Sequence, residues 1–180
     1  MIPYSRQSIS EDDIQAVVEV LKSDFLTQGP VVPQFEQAVA DYCRVGYAVA
    51  VNSATSALHL ACLALDVKPG DIVWTSPITF VASANCALYC GATVDFVDID
   101  PETYNLSVER LTEKLAEAEC YGRLPKVVIP VHFGGLSCDM AGIRELSRRY
   151  GFKIIEDASH AIGGRYRDEP IGNCRYSDIT

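Results

Sequence analysis

An alternation of short apolar runs with longer stretches of helical periodicity, which begins at Tyr47, most limits the folds open to this chain. The apolar runs predict strands near residues 47–51, 71–75, 93–97, 127–131 and 152–156. The intervening stretches predict helices near residues 55–65, 79–90, 107–119 and 139–150. Strands that alternate with helices indicate a mainly parallel sheet with right-handed crossovers. The sequence therefore predicts an α/β fold in which helices flank the sheet.

The segments before this alternation carry local signals only. Residues 1–9 are expected to be extended, and Ser10, followed by three acidic residues, predicts the start of an amphipathic helix. Pro33 predicts the start of a second helix. The stretch Thr27-Gln28-Gly29-Pro30 between the two helices is typical of a loop.

Composition excludes several classes of protein. The 180 residues are enough for one domain with a sizeable core. A formal net charge of −9 argues against a nucleic-acid-binding protein, since phosphate contacts need a basic face. Seven cysteines without a CxxC pair, together with only three histidines, predict no metal site. Because the apolar runs are shorter than a membrane span and the first residues form no signal core, we expect a cytoplasmic protein without a membrane partner.

The stretch Asn52–His59 follows the first predicted strand and begins a helix. Free N–H groups at a helix N-terminus, together with the hydroxyls of Ser53, Thr55 and Ser56, are suited to a phosphate group. The glycine pattern and the lysine of a Walker loop are absent. The alternative is that these residues form an ordinary N-cap.

Two further strand ends carry an aromatic residue and a histidine. In Thr75–Ser83, Phe80 would lie in the first turn of a helix, with its ring available to an aromatic ligand. Taken alone, Phe80 is more typical of a core residue. In Pro130–Gly135, His132 ends a strand, and structural support near the site is the preferred interpretation of its role.

The stretch Ile154–Gly164 combines an apolar run with two carboxylates and a histidine. An apolar run that ends in Glu156 and Asp157 indicates a buried strand whose carboxyl end opens into a crevice, where open α/β sheets bind ligands. A carboxylate at this place pairs well with a cationic ring nitrogen, and His160 would contact the same ligand. The alternative is that both carboxylates cap the next turn and that His160 is a satisfied polar residue.

Together these strand ends offer hydroxyls for a phosphate, an aromatic residue for a ring face, a carboxylate for a ring nitrogen and a histidine beside it. This combination fits a phosphorylated pyridine. A carboxylate next to a pyridinium keeps the ring nitrogen protonated, so that the ring can act as an electron sink for carbanion chemistry.

The same residues, in this order, resemble the DegT/DnrJ/StrS family of sugar aminotransferases, which are fold-type I pyridoxal-phosphate enzymes. The resemblance covers essentially the whole chain and rests on the stretches Pro3–Arg6, Thr27–Pro30, Asn52–Leu58, Thr75–Ser83, Pro130–Gly135 and Glu156–Gly163. Ser159-His160 stands where many members carry Ala-Gln. The resemblance is greatest to the members of pseudaminic acid biosynthesis, which place an amino group on C4 of a UDP-linked 4-keto-6-deoxy-N-acetylhexosamine with glutamate as donor.

The resemblance implies a role for each matching position of the cofactor site. Asp157 would pair with the ring nitrogen of pyridoxal 5′-phosphate, Phe80 would stack on the ring, and His160 would hydrogen-bond the 3′ oxygen in place of the commoner glutamine. The cofactor phosphate would bind at Ala54 and Thr55.

The resemblance also implies the partners. A nucleotide sugar and an amino-acid donor would be the substrates, and the active protein would be a homodimer, since fold-type I sites borrow residues across the dimer interface. The residues implied to lie near the sugar nucleotide are Thr27, Gln28 and Gly29.

One departure concerns the lysine that holds the cofactor as a Schiff base in this family. The five lysines, at positions 22, 68, 114, 126 and 153, match nothing of the kind. Residues 177–180 predict the start of another strand, and the family's lysine is expected beyond Thr180. We therefore expect residues 1–180 to be the N-terminal portion of the cofactor-binding large domain, without the small C-terminal domain, and to be unable to transaminate alone.

Other functions stay open at this point. Some family members carry histidine at the lysine position and dehydrate sugars, and others transfer an amino group to a different nucleotide sugar. A non-catalytic remnant would keep the pocket without the nucleophile. A dinucleotide site is disfavoured, because no GxGxxG follows a predicted strand.

Overall fold

The computed structural model describes residues 6–180, so most of the segment 1–9 that the sequence predicts to be extended lies outside the described residues. The helices are α1 Glu11–Lys22, α2 Val31–Cys43, α3 Ala54–Ala64, α4 Ala82–Tyr89, α5 Val108–Cys120 and α6 Met140–Tyr150. The strands are β1 Ile72–Thr75, β2 Thr93–Phe96, β3 Val127–Ile129, β4 Lys153–Ile154, β5 Arg165–Tyr166 and β6 Glu169–Pro170.

The main sheet consists of four parallel strands in the order β2-β1-β3-β4. In its centre, Val73 of β1 lies opposite Val94 of β2 and Val127 of β3. Beyond β4, Ile179 forms a parallel bridge with Ile155, so the strand predicted to begin at 177–180 is present at its first residues. The parallel α/β sheet predicted from the sequence is confirmed.

Side chains that alternate along the strands fill two cores, one on each face of the sheet. Val73 and Val127 pack with residues of α3 and α4 on one face. Trp74 and Val128, their neighbours in the chain, pack with residues of α5 and α6 on the other face. Because a fully buried large apolar side chain contributes about 1.5–3 kcal/mol, these two layers hold the helices on the sheet.

The first two helices form where the sequence predicts them. At the start of α1, the Ser10 hydroxyl accepts the N–H of Asp13 at 3.3 Å, and the Asp13 carboxylate accepts the N–H of Ser10 at 2.7 Å. This reciprocal pair satisfies two N–H groups that the helix itself leaves free. Helix α2 begins at Val31, two residues before the predicted Pro33. None of the helices within residues 6–180 is both long and apolar enough to cross a membrane.

The predicted strand at 47–51 is wrong. This segment has no strand pairing within residues 6–180, and Tyr47 and Val49 are 91% and 78% exposed. Instead, the Ala50 N–H donates to the Glu36 carboxylate at 2.8 Å. Alternating apolar residues show that a segment can form a strand, but a strand also needs a neighbour, and the described sheet does not extend to this segment.

A short hairpin follows within residues 165–172. Strands β5 and β6 are antiparallel, with Tyr166 opposite Glu169. The two residues between the strands, Arg167 and Asp168, have φ of +49° and +64°. Two successive positive φ values match the twist of a tight two-residue hairpin.

The carboxylate of Asp178 ties the last described segment to β4. It accepts the N–H of Ile154 at 2.9 Å and pairs with the Lys153 ammonium at 2.9 Å and the Arg144 guanidinium at 3.5 Å. Burial opposes the charge, but the Ile154 N–H and the two cations outweigh burial, so the pKa of Asp178 lies below its ordinary value.

We predict that Asp178→Asn lowers the free energy of unfolding by about 1–3 kcal/mol at pH 7. A carboxyl whose pKa is lowered by folding stabilises the protein above its unfolded pKa of about 3.9, and this stabilisation is lost as the pH falls through the folded pKa. The difference between wild type and variant should therefore shrink below about pH 4. Urea unfolding at several pH values measures it, with the exposed Asp24→Asn as control. A difference that stays constant down to pH 2 would contradict the assignment.

Candidate functional site

The carboxyl ends of β1, β3 and β4 meet at one edge of the sheet. A parallel bridge between Val131 and Asp157 continues the pairing of β3 with β4. The Asp157 N–H donates to the Pro130 carbonyl at 2.9 Å, and the His132 N–H donates to the Asp157 carbonyl at 3.0 Å. We call this edge, with the N-termini of α3 and α4 beside it, the candidate site. Ligands of open parallel sheets bind at such an edge.

The carboxylate of Asp157 accepts three hydrogen bonds at the candidate site. It is only 7% exposed, and its Oδ2 accepts the hydroxyl of Ser83 at 2.8 Å. Its Oδ1 accepts the hydroxyl of Ser159 at 2.7 Å and the N–H of the same residue at 3.3 Å. No lysine, arginine or histidine forms an ion pair with it within residues 6–180. A buried carboxylate held only by neutral donors is prepared for a cationic ligand, because burial makes an unpaired charge costly.

The contact with the Ser159 N–H bears on one alternative left open by the sequence. Asp157 does cap the turn that follows it, as that alternative requires. Its Oδ2, however, is bound on the opposite side by Ser83 of α4. Capping is therefore one of two functions of this carboxylate and accounts for only one of its oxygens.

Phe80 lies two residues before Ala82, the first residue of α4, and not within the first turn of that helix as predicted. Its carbonyl and that of Val81 accept the first N–H groups of the helix. Phe80 is 73% exposed, so the alternative that it is a core residue is wrong. Its ring is open to a ligand at the candidate site.

The N-terminus of α3 lies at the same edge, because α3 packs beside α4 and returns through a short turn to the start of β1. Ser53 is the N-cap, and its hydroxyl accepts the Ser56 N–H at 3.2 Å. The N-cap interpretation is thus confirmed for Ser53. Ala54 is exposed and Thr55 is half-buried, and both occupy the first turn.

His160 lies in the turn that follows Asp157 and is exposed. Its ring forms no hydrogen bond in the part of the chain that the structure describes, so no neighbouring group fixes its role. The turn is closed by the Ala161 N–H, which donates to the Ala158 carbonyl at 2.8 Å.

Gly135 allows the loop after β3 to approach this turn. Its φ is +89°, and a Cβ at this position would lie 2.8 Å from the carbonyl oxygen of His160. We predict that Gly135→Ala lowers the free energy of unfolding by about 2–4 kcal/mol, because the backbone strain of about 1 kcal/mol adds to a clash with main chain that cannot rotate away.

The matched control is Gly134→Ala. Gly134 also has a positive φ, +59°, but a Cβ there has no atom within 4 Å. Only the strain of about 1 kcal/mol is expected for it. Urea unfolding of both variants measures the difference, and equal losses would show that the contact with the His160 carbonyl costs nothing.

His132 has the structural role that the sequence indicates. It is 1% exposed, and the Cys138 N–H donates to its Nδ1 at 3.2 Å. Because Nδ1 accepts, the ring proton lies on Nε2, which donates to the Glu156 carboxylate at 2.8 Å. Glu156 therefore does not cap the next turn, contrary to the alternative. Burial raises the pKa of the neighbouring Cys138 thiol to about 12, so it stays neutral beside this pair.

Within residues 6–180, no hydrogen bond joins the residues expected near a sugar nucleotide to the candidate site. Thr27, Gln28 and Gly29 form the loop between α1 and α2, and Gln28 has a φ of +53°. Their role stays a prediction. Sequence reasoning missed Ser83, which contacts Asp157, and Thr79, which contacts Ser83. The signal was two hydroxyl residues four positions apart, Thr79 just before the helix and Ser83 in its first turn.

Comparison with known sequences identifies the family of this chain. The model of the DegT/DnrJ/EryC1/StrS aminotransferase family matches residues 7–180. The chain is 44% identical to the spore coat polysaccharide biosynthesis protein SpsC of Bacillus subtilis, over 96% of this chain and 43% of that protein. It is 42% identical to the UDP-4-amino-4,6-dideoxy-N-acetyl-beta-L-altrosamine transaminase of Campylobacter jejuni, over 96% of this chain and 45% of that protein.

Solved structures give the same result. PseC of Helicobacter pylori, described as an aminotransferase involved in the biosynthesis of pseudoaminic acid, has a TM-score of 0.86 and 31% identity, over 94% of this chain and 44% of that chain. A DegT DnrJ EryC1 StrS aminotransferase of Brucella abortus has a TM-score of 0.84 and 34% identity, over 88% of this chain and 43% of that chain. The chain thus spans less than half the length of these relatives and shares the fold of their corresponding part.

Proposed function

Because the chain belongs to the DegT/DnrJ/EryC1/StrS aminotransferase family, we propose that its protein transfers an amino group to a nucleotide-linked keto sugar. The substrates are the nucleotide sugar and an amino-acid donor. The observation that carries the proposal is Asp157, a buried carboxylate at the carboxyl edge of a parallel sheet with only neutral partners within residues 6–180.

The cofactor is pyridoxal 5′-phosphate, and the described residues fit it. A pyridinium nitrogen supplies the cationic partner that Asp157 lacks within residues 6–180, and the exposed ring of Phe80 offers a face for the pyridine. When bound, the cofactor supplies an electron sink for the carbanion formed during amino transfer.

The residues of the candidate site have defined tasks in this proposal. Asp157 holds the proton on the ring nitrogen, because its negative charge favours the charged form of the ring. The first-turn N–H groups at Ala54 and Thr55, with the Thr55 hydroxyl, bind the phosphate at the N-terminus of α3. His160 hydrogen-bonds the 3′ oxygen through a ring that has no other partner within the described residues.

The lysine that carries the cofactor is proposed to lie beyond Thr180. Four of the five lysines are bonded elsewhere: Lys68 to Asp66, Lys114 to Asp95, Lys126 to Asp71 and Lys153 to Asp178. Lys22 is the last residue of α1. In this proposal residues 1–180 are the N-terminal portion of the cofactor-binding large domain.

The finer proposal concerns the sugar. We propose the C4 ketone of a UDP-linked 4-keto-6-deoxy-N-acetylhexosamine, with glutamate as donor, in pseudaminic acid biosynthesis. It is supported by the names of two Campylobacter jejuni relatives, each 42% identical to this chain, and by the Helicobacter pylori structure. A GDP-perosamine synthase of Caulobacter vibrioides is 40% identical over 87% of this chain. The test must therefore compare a UDP-linked with a GDP-linked keto sugar.

We further propose that the active protein is a cytoplasmic homodimer. Helix α1 supports a partner surface, because none of its residues is buried. Its apolar side chains Ile14, Val17 and Leu21 are between 48% and 65% exposed. An apolar helix stripe of this kind is normally covered by another surface.

The experiment uses the protein expressed from its complete coding sequence, with pyridoxal phosphate, ¹⁵N-labelled glutamate and the UDP-linked 4-keto sugar. The expected product carries one ¹⁵N atom at C4, detected by mass spectrometry, while the GDP-linked analogue reacts more slowly. The Asp157→Asn variant is the control and should yield little product. A product that loses oxygen without gaining nitrogen would indicate a dehydratase, and no product from any keto sugar would contradict the proposal.

A further inference from the structure

A short chain of hydroxyl groups leads from the loop before α4 to Asp157. Thr79 Oγ1 lies 2.7 Å from Ser83 Oγ, and Ser83 Oγ lies 2.8 Å from Asp157 Oδ2. Ser83 has no exposed surface, whereas Thr79 is half-buried. Neither residue has a task in the proposed reaction so far.

The direction of these hydrogen bonds follows from the chemistry of the groups. An ionised carboxylate only accepts, and a serine hydroxyl has a single proton. The proton of Ser83 therefore points to Asp157 Oδ2, and Thr79 must donate to Ser83. Both hydroxyls donate in the same direction, toward the carboxylate, so each strengthens the next.

The two oxygens of Asp157 differ in their surroundings. Oδ2 is bound by the fully buried Ser83, whereas Oδ1 is bound by Ser159, which is exposed. The carboxylate is thus anchored on its inner side by Ser83, and its other oxygen is held by a residue at the surface.

The anchor itself is held rigidly. Ser83 lies in the first turn of α4 between the buried residues Ala82 and Cys86, and its N–H donates to the Phe80 carbonyl at 3.1 Å. One residue therefore connects the loop that carries Phe80 with the carboxylate of Asp157. Groups that orient a ligand-binding side chain need this kind of support.

We propose that Ser83 is a positioning residue, which fixes Asp157 through Oδ2 so that Oδ1 is presented to the ring nitrogen of the cofactor. Ser83 does not itself touch the cofactor. Thr79 assists by donating to the Ser83 oxygen. This inference rests on the proposed function, because it assumes a pyridine ligand at Asp157.

The test measures binding of pyridoxamine 5′-phosphate to the protein expressed from its complete coding sequence. NMR of pyridoxamine phosphate with a ¹⁵N-labelled ring reports the protonation of the ring nitrogen. This probe cannot form a Schiff base with lysine, so it reports the non-covalent site alone. Ser83→Ala should weaken binding about tenfold, the order found when a group that orients a ligating side chain is removed. It should also lower the pH at which the bound ring nitrogen loses its proton. Thr79→Val should change both quantities in the same direction but less.

Two variants serve as controls. Ser83→Thr keeps a hydroxyl and should restore most of the binding and the ring protonation. Ser147→Ala removes another buried hydroxyl, which donates to the Phe152 carbonyl at 2.7 Å, and should leave both quantities unchanged.

The outcomes separate this inference from the proposed function. If wild type binds no pyridoxamine phosphate, the proposed function and the role of Ser83 both fail. If wild type binds and Asp157→Ala does not, while Ser83→Ala matches wild type, only the role of Ser83 fails. Equal losses of binding for Ser83→Ala and Ser147→Ala would also overturn the role of Ser83, since they would indicate a general loss of stability.

Discussion

Replacing Asp157 with alanine is expected to weaken binding of pyridoxamine 5′-phosphate to this chain by about 100-fold or more. The variant removes the buried partner of a pyridinium, and breaking one side of a buried charge pair costs about 3–5 kcal/mol. Each 1.4 kcal/mol corresponds to about a tenfold change in affinity. Isothermal titration calorimetry at pH 7 measures the dissociation constants of both proteins.

An analogue of the cofactor in which carbon replaces the ring nitrogen provides the matched control. Because this analogue cannot form the ion pair, wild type and Asp157→Ala should bind it with similar affinity. If Asp157→Ala binds neither the analogue nor pyridoxamine phosphate, the substitution disrupts the candidate site as a whole. Unchanged affinity for pyridoxamine phosphate would show that the ring nitrogen lies elsewhere.

His132→Leu is expected to lower the free energy of unfolding by about 3–5 kcal/mol, the cost of leaving a buried charge without its partner. The substitution removes the ring that donates to the Glu156 carboxylate, which is 7% exposed. Within the described residues, the remaining hydrogen bond of that carboxylate comes from the Thr180 hydroxyl, at 3.4 Å. Urea unfolding at pH 7 provides the measurement. His59→Leu, at a half-buried histidine edge-on to Tyr89, is the control and should cost less than about 1 kcal/mol.

A double-mutant cycle isolates the contribution of the charge. The variant His132→Leu/Glu156→Leu removes the unpaired carboxylate together with the ring, so it should be more stable than His132→Leu alone. If the effects of the two single substitutions simply add, the ring and the carboxylate do not interact, and the interpretation of His132 is wrong.

The parallel sheet was predictable because its signals are local. The runs from β1 to β4 are short and mostly apolar, and the helices α4, α5 and α6 lie between them. A right-handed crossover between such strands leaves little choice of topology. The segment around Tyr47 carries the same alternation but remains exposed, because strand pairing depends on a neighbour that a local pattern does not specify.

The candidate site was predictable in outline only. Motifs at the ends of strands indicated Asp157 and the start of α3, since carboxyl ends of parallel strands share an edge. The hydrogen bond from Ser83 to Asp157 joins residues 74 positions apart, and no local pattern contains it. The position of Phe80 was predicted one turn too far into the helix, because α4 starts only at Ala82. Helix boundaries are the part of a sequence prediction that local patterns define least.

A crystal structure of this chain with pyridoxamine 5′-phosphate tests the central claim most directly. The account predicts the phosphate at the N-terminus of α3 near Ala54 and Thr55, the ring beside Phe80, and the ring nitrogen within hydrogen-bond distance of Asp157 Oδ1. It also predicts that Ser83 keeps its hydrogen bond to Oδ2. A ligand bound at another part of the sheet, or a ring nitrogen turned away from Asp157, would contradict the account.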